Sequence, residues 1–139
     1  MKRDKHDKVT SFLVRTRSNW TCERCMKYYP EGHRGGLENS HYISRGKMST
    51  RYSPDNCSAF CTGCHFHMSA NREAEYTPWL RKQLGEDRFD DLVRRGHAVM
   101  RYTKDEKEKR YQHYKEELAD MQLSRDMGET DWIEFTSWD

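Results

Sequence analysis

Apolar positions in this chain come in short, well-punctuated groups, and their spacing predicts helices around a small strand-rich insert. Val9, Phe12, Leu13 and Trp20 recur at roughly helical intervals. That predicts a helix over residues 9–20, behind a polar and frayed stretch at residues 1–8. Lys8, Arg15 and Arg17 fall on its solvent face, so the helix either covers the next module or serves as a basic arm on nucleic acid. Pro30, Gly32, Gly35 and Gly36 make residues 28–36 turn and loop. Leu37, Tyr42 and Ile43 mark a strand over residues 37–43. The polar residues 44–56, with Gly46, Pro54 and Asp55, read as a long loop, residues 57–60 as a short second strand and residues 62–76 as a helix.

The second half of the chain is helical throughout. Thr77-Pro78 reads as an N-cap followed by proline in the first helical position, and Gly85 closes that helix. Phe89, Leu92 and Val93 share one side of a helix over residues 86–95 that stops at Gly96. Thr103-x-x-Glu106 is a capping box opening a helix that runs to about Leu123. Its stripe of Tyr111, Tyr114, Leu118 and Met121 predicts packing on the chain's own body or on a second copy, as a homodimer through the C-terminal helix.

Composition limits the core. In 139 residues, hydrophobic content is 34% and charged content 35%, so one domain with a thin core is expected, of the kind that needs a staple. Five cysteines, an odd number, with no apolar N-terminal segment point to a reducing cytoplasm rather than a disulfide framework. No run approaches transmembrane length, so a soluble protein without a membrane partner is expected. The formal charge of +2 is uneven. Four of the 23 acids lie in residues 129–139, which hold no base, and the remainder carries 25 bases against 19 acids, a net +6. A basic body is compatible with a phosphate-backbone binder. Trp132, Ile133, Phe135 and Trp138 sit among those acids, and this tail either docks on the body, binds a partner or masks the basic surface as a DNA mimic.

The chemistry starts from the cysteines. Cys22-x-x-Cys25 and Cys61-x-x-Cys64 are two knuckle spacings, and four thiolates so arranged make a tetrahedral zinc cage. Zinc then supplies the staple that the core lacks. The gap between the pairs is longer than a plain zinc ribbon needs, and it holds His41 and Asn56, with His65 directly after the last cysteine. Cys57 falls outside both pairs and reads as a small buried residue.

A His and an Asn between two Cys pairs, then a His directly after the last cysteine, resemble the HNH (ββα-metal) nucleases. Within that class the sequence is similar to the phage NinG (Rap) recombination endonucleases over residues 10–95. The likeness runs through Phe12-Leu13-Val14-Arg15-Thr16-Arg17, Cys22-x-x-Cys25 and Ser40-His41-Tyr42-Ile43-Ser44-Arg45-Gly46. It continues through Thr50-Arg51-Tyr52-Ser53-Pro54-Asp55-Asn56, Cys61-x-x-Cys64, Asn71 and Glu75-Tyr76. The resemblance implies an α+β fold, a zinc-stapled ββα-metal core with added N- and C-terminal helices. It also implies a DNA endonuclease acting on branched or single-strand-containing DNA in phage recombination, in the host cytoplasm. HNH proteins often carry Asp, a metal ligand, before the first His; here the residue is Ser40.

Roles follow residue by residue. Phosphodiester hydrolysis needs a deprotonated water, and a neutral imidazole can take that proton, so His41 is the general base, or else a half-buried strand histidine. His65 is the first ligand of a catalytic Mg²⁺ or Mn²⁺, or a substitute for one cysteine of the cage. His67 and Asn71, four apart on one helical face, are further ligands or phosphate contacts, or His67 is a solvated helix histidine. Asn56 resembles the central HNH Asn that ties down the loop behind the base, or is a plain turn residue. Arg45, Lys47 and Arg51 are DNA-phosphate contacts, or a solvated basic loop. The expected organisation is a zinc-bound nuclease domain at 1–95, a helical extension at 96–128 and an acidic aromatic tail at 129–139. The alternative is a non-catalytic, zinc-stabilised module for nucleic-acid binding or protein interaction.

Overall fold

The computed structural model describes residues 2–33 and 36–139. Met1 of the stretch expected to fray and Gly35 of the expected turn lie outside the described residues. The chain folds as α+β, with helix α1 (Lys5–Arg17), strand β1 (Glu38–His41), strand β2 (Cys57–Phe60) and helices α2 (Thr62–Ala70), α3 (Thr77–Leu84), α4 (Glu86–Gly96) and α5 (Lys104–Asp126).

Helix α1 begins well before the expected residue 9. Asp4 and Asp7 close a capping box, each carboxylate accepting from the other's backbone N–H at 2.9 and 3.0 Å. Two orphan amides are thereby satisfied, and residues 5–8 are helical rather than frayed. The helix ends at Arg17, short of the expected residue 20, because Asn19 and Trp20 adopt φ of 52° and 59° and turn the chain back. Trp20 still packs edge-on against Phe12. Val9, Leu13 and Val14 enter the core.

The strands pair antiparallel, with Glu38 opposite Phe60 and His41 opposite Cys57. β1 is shorter than the hydrophobic pattern indicated. Past His41, Tyr42 still donates its N–H to the Asn56 carbonyl, but Ile43 turns to the Asn56 side chain. The second half of the polar loop after it is packed, with Ser49, Thr50, Arg51, Tyr52, Ser53 and Asn56 all buried, while Ser44, Gly46 and Lys47 stay exposed.

The helix expected over residues 62–76 divides at Asn71, whose side chain donates to the His67 carbonyl. A wider π-helical turn over Arg72–Tyr76 then swings Tyr76 into the core against Tyr42, Phe60 and Trp79. Because Tyr76 is itself helical, Thr77 is not an N-cap; its hydroxyl bonds the Tyr42 hydroxyl at 2.7 Å instead. Gly96 ends α4 where a Cβ would stand 2.6 Å from Ile43 Cδ1, so a larger residue would make the Ile43 side chain shift.

Helix α5 opens with the expected Thr103/Glu106 capping box and packs lengthwise on α1. Its stripe is spent inside the chain, with Tyr114 and Met121 buried. The acidic aromatic tail docks on the body. Phe135 is 4% exposed, Ile133 donates its N–H to the Arg17 carbonyl, and Trp138 donates its N–H to the Tyr114 hydroxyl. Arg125 braces the same corner through the carbonyls of Thr16, Arg17, Glu129 and Asp131. Among the described residues, no helix is long and apolar enough to cross a membrane.

Candidate functional site

The first centre is the cysteine cluster. A tight turn after α1, bridged between Thr21 and Tyr28, presents Cys22 and Cys25. Cys61 caps α2 and Cys64 lies in its first turn. The four sulfurs all lie within 4.8 Å of one another, and those of Cys25 and Cys61 are 4.0 Å apart. A tetrahedral zinc with Zn–S near ~2.3 Å separates its sulfurs by about 3.8 Å, so the donor set fits that ion. Backbone amides already point at the sulfurs, Cys61 N–H at Cys22 Sγ (3.3 Å) and Cys64 N–H at Cys61 Sγ (3.4 Å). Such donors favour thiolate over thiol. Cys57 stands apart, buried beneath the Arg51 carbonyl, and burial pushes its thiol up to about 12.

The second centre is a cleft of about 330 Å³ between α1 and β1, lined among others by Arg3, Arg15, Glu38, His41, Arg45 and His65. His41 and His65, 24 positions apart in the chain, face the same space. His41 projects from the end of β1, and its Nε2 lies 2.9 Å from the Arg51 carbonyl oxygen. A carbonyl can only accept, so Nε2 carries the proton and Nδ1 keeps its lone pair in the neutral ring. Burial pulls the His41 pKa down to about 4. The Arg51 carbonyl and Asp7 oppose this shift, while Arg45 and Arg51 add to it. The ring is therefore neutral at physiological pH.

His65, in the first turn of α2, pairs through Nδ1 with Glu38 Oε1 at 2.9 Å. A carboxylate orienting one ring nitrogen leaves the other, Nε2, as a donor atom. His65 is not part of the cysteine cluster. His67 and Asn71 do not line this cleft. Asn71 caps α2, and His67 lies 3.9 Å from Glu75. Ser40 projects from the opposite side of β1, fully buried with its hydroxyl 2.9 Å from that of Tyr76. Ser40 therefore belongs to the core and not to the cleft.

Asn56 is fully buried and stitches the loop behind His41. Its Oδ1 accepts from Ile43 N–H at 2.7 Å, and its Nδ2 donates to the carbonyls of Ile43 and Thr50. Of the three loop cations, Lys47 is exposed, Arg45 lines the cleft and Arg51 is 4% exposed with its guanidinium on Asp7. Arg51 thus shapes the loop from within rather than presenting charge to solvent. Arg17, expected on the solvent face of α1, is also buried, donating to the carbonyls of Pro54 and Cys57 and lying 3.6 Å from Glu23.

Asp7 and Arg3 were not singled out from the sequence as site residues, although a signal exists. Arg3, Asp7, Ser11 and Arg15 recur every four positions, a polar stripe along one helical face. All four line the cleft. Without the partner strand, that stripe looks like an ordinary solvent face.

A family model described as "Bacteriophage Lambda NinG protein" matches residues 3–124. No curated protein and no solved structure matches the chain.

Proposed function

The chain belongs to the bacteriophage lambda NinG family, and from that premise we propose that it is a metal-dependent DNA endonuclease of the HNH type. One observation carries the proposal: His41 and His65 open onto one arginine-lined cleft, each held by a partner that fixes which ring nitrogen is available. His41 offers Nδ1 to a water as general base. Arg3, Arg15 and Arg45 supply the positive charge that a phosphodiester needs. A phosphate entering the cleft adds negative charge beside His41, which raises its basicity from the depressed value.

His65 Nε2 would hold a Mg²⁺ or Mn²⁺, with Glu38 orienting the ring and contributing negative charge. Bound there, the ion supplies Lewis-acid stabilisation of charge on the phosphate and leaving oxygen. One imidazole is a sparse donor set, so waters and phosphate oxygens would complete the shell. The cysteine cluster carries structural zinc, apart from the chemistry. Branched or single-strand-containing DNA in the host cytoplasm is the substrate that the NinG resemblance implies, in phage recombination.

The test is a cleavage panel of junction, flap, single-stranded and duplex DNA with Mg²⁺ and Mn²⁺. Cutting that requires the divalent ion and stops on its removal supports the proposal. A salt-sensitive gel shift without cutting of any substrate supports the non-catalytic zinc module instead.

A further inference from the structure

We propose that Asp7 is a positioning residue for the reaction assigned to the cleft, acting on His41 through Arg51. Its activity arm rests on the nuclease reading above. Asp7 sits in the first turn of α1, buried and locked by the capping box with Asp4. Its Oδ2 accepts from Arg51 Nη2 at 2.6 Å and its Oδ1 from Arg51 Nε at 2.9 Å. Arg45 reaches the same Oδ2 at 3.2 Å. With the Asp4 amide included, four hydrogen bonds engage this carboxylate. Three of these fall on Oδ2 and one on Oδ1, and three of the four come from the two arginines.

The consequence lies at the other end of Arg51. While the side chain is forked onto Asp7, the backbone carbonyl of the same residue takes the Nε2–H of His41. Helix, loop and strand are thus joined through one residue held at two points. A buried ion pair is a poor source of net stability, because desolvation offsets its attraction. A two-point fork is, however, a good source of fixed direction. What it fixes here is the carbonyl that sets the tautomer of His41, and therefore which ring nitrogen faces the cleft. Burial alone would push the Asp7 carboxyl up, but the Arg51 hydrogen bonds, the Asp4 amide and the two arginine charges hold it well below the usual carboxylate range. The fork is therefore charged at any pH where the protein would work.

The experiment uses the full-length, zinc-loaded protein and Asp7→Asn, read in two ways. Long-range ¹H–¹⁵N NMR reports the His41 tautomer, and steady-state cleavage reports kcat and KM separately. The parent is expected to show a single Nε2–H tautomer. Asp7→Asn is expected to show a tautomer mixture, a kcat lower on the order of 100-fold and a KM within about twofold. A folded Asp7→Asn that keeps the single tautomer, or cuts at the parental kcat, overturns the proposal. If the parent cuts no DNA, the nuclease reading fails and the NMR arm alone decides the positioning role. If Asp7→Asn does not fold, Asp7→Asn with Arg51→Met removes the unpaired buried cation, and the same two measurements decide on that protein.

Discussion

The Glu38 carboxylate holds Nδ1 of His65 at 2.9 Å, joining the first residue of β1 to the first turn of α2. Ser40, beside His41, is buried away from the cleft, whereas Glu38 reaches it and meets His65 there. His65→Ala should therefore raise the divalent concentration needed for cleavage, or eliminate it, while one zinc per chain is retained. Glu38→Gln should do the same more mildly, by about 10- to 100-fold in metal affinity or activity. A metal titration of cleavage alongside elemental analysis checks both. Loss of zinc from His65→Ala would place that residue in the cage.

Ser40→Asp should not rebuild a metal ligand. Ser40 is fully buried against the Tyr76 hydroxyl, so a carboxylate placed there would lie in the core. Burying such a group costs about 3 kcal/mol or more, whereas Ser40→Ala loses only a hydrogen bond, about 1 kcal/mol. Denaturant unfolding of the two variants measures the difference. Equal stability, with tighter metal dependence for Ser40→Asp, would show that the side chain can reach the cleft.

One zinc per chain is expected in the purified protein, held by Cys22, Cys25, Cys61 and Cys64. These residues tie the turn after α1 to the start of α2, across a core short of apolar mass. Structural zinc contributes on the order of 10 kcal/mol in small domains, so serine at any one of the four should unfold the protein. Circular dichroism during chelation reads this directly. A fold that survives complete zinc removal contradicts it.

The pH dependence follows from His41. Its pKa in the folded protein is about 4, against roughly 6.5 in an unfolded chain, so the unfolded state takes up the proton first. The neutral ring's contribution to stability is present above roughly pH 6.5 and is lost as the pH falls toward 4. His41→Ala should remove that part of the acid destabilisation. The acid limb of kcat/KM, which reports the free protein, should likewise lie well below pH 6. A limb at 6.5 would mean that the ring is solvated rather than buried.

Much of this was legible in the sequence because it depends on local signals. The two Cys-x-x-Cys spacings give the cluster, Thr103 and Glu106 give the start of α5, and the short strands lie close to their apolar runs. What was not legible depends on partners distant in the chain. Arg17 and Arg51 look like surface cations until Glu23 and Asp7 are folded against them. Tyr76 looks like the end of one long helix, yet the π-helical turn after Asn71 makes it a centre of the core. The tail's three fates were undecided by composition. Its docking depends on Arg125 and on the stacking of Trp132 and Phe135 over Arg17, 4.6 and 5.3 Å from the rings.

The most direct measurement is divalent-dependent cleavage by the parent and by His41→Ala, each folded and carrying one zinc. On the nuclease reading, the parent cuts at least one member of the DNA panel with millimolar Mg²⁺ and faster with Mn²⁺. On the same reading, His41→Ala slows cutting by ~10²–10⁴-fold with DNA affinity within about twofold. A His41→Ala protein that cuts at the parental rate, or a parent that binds DNA and cuts none, would contradict it.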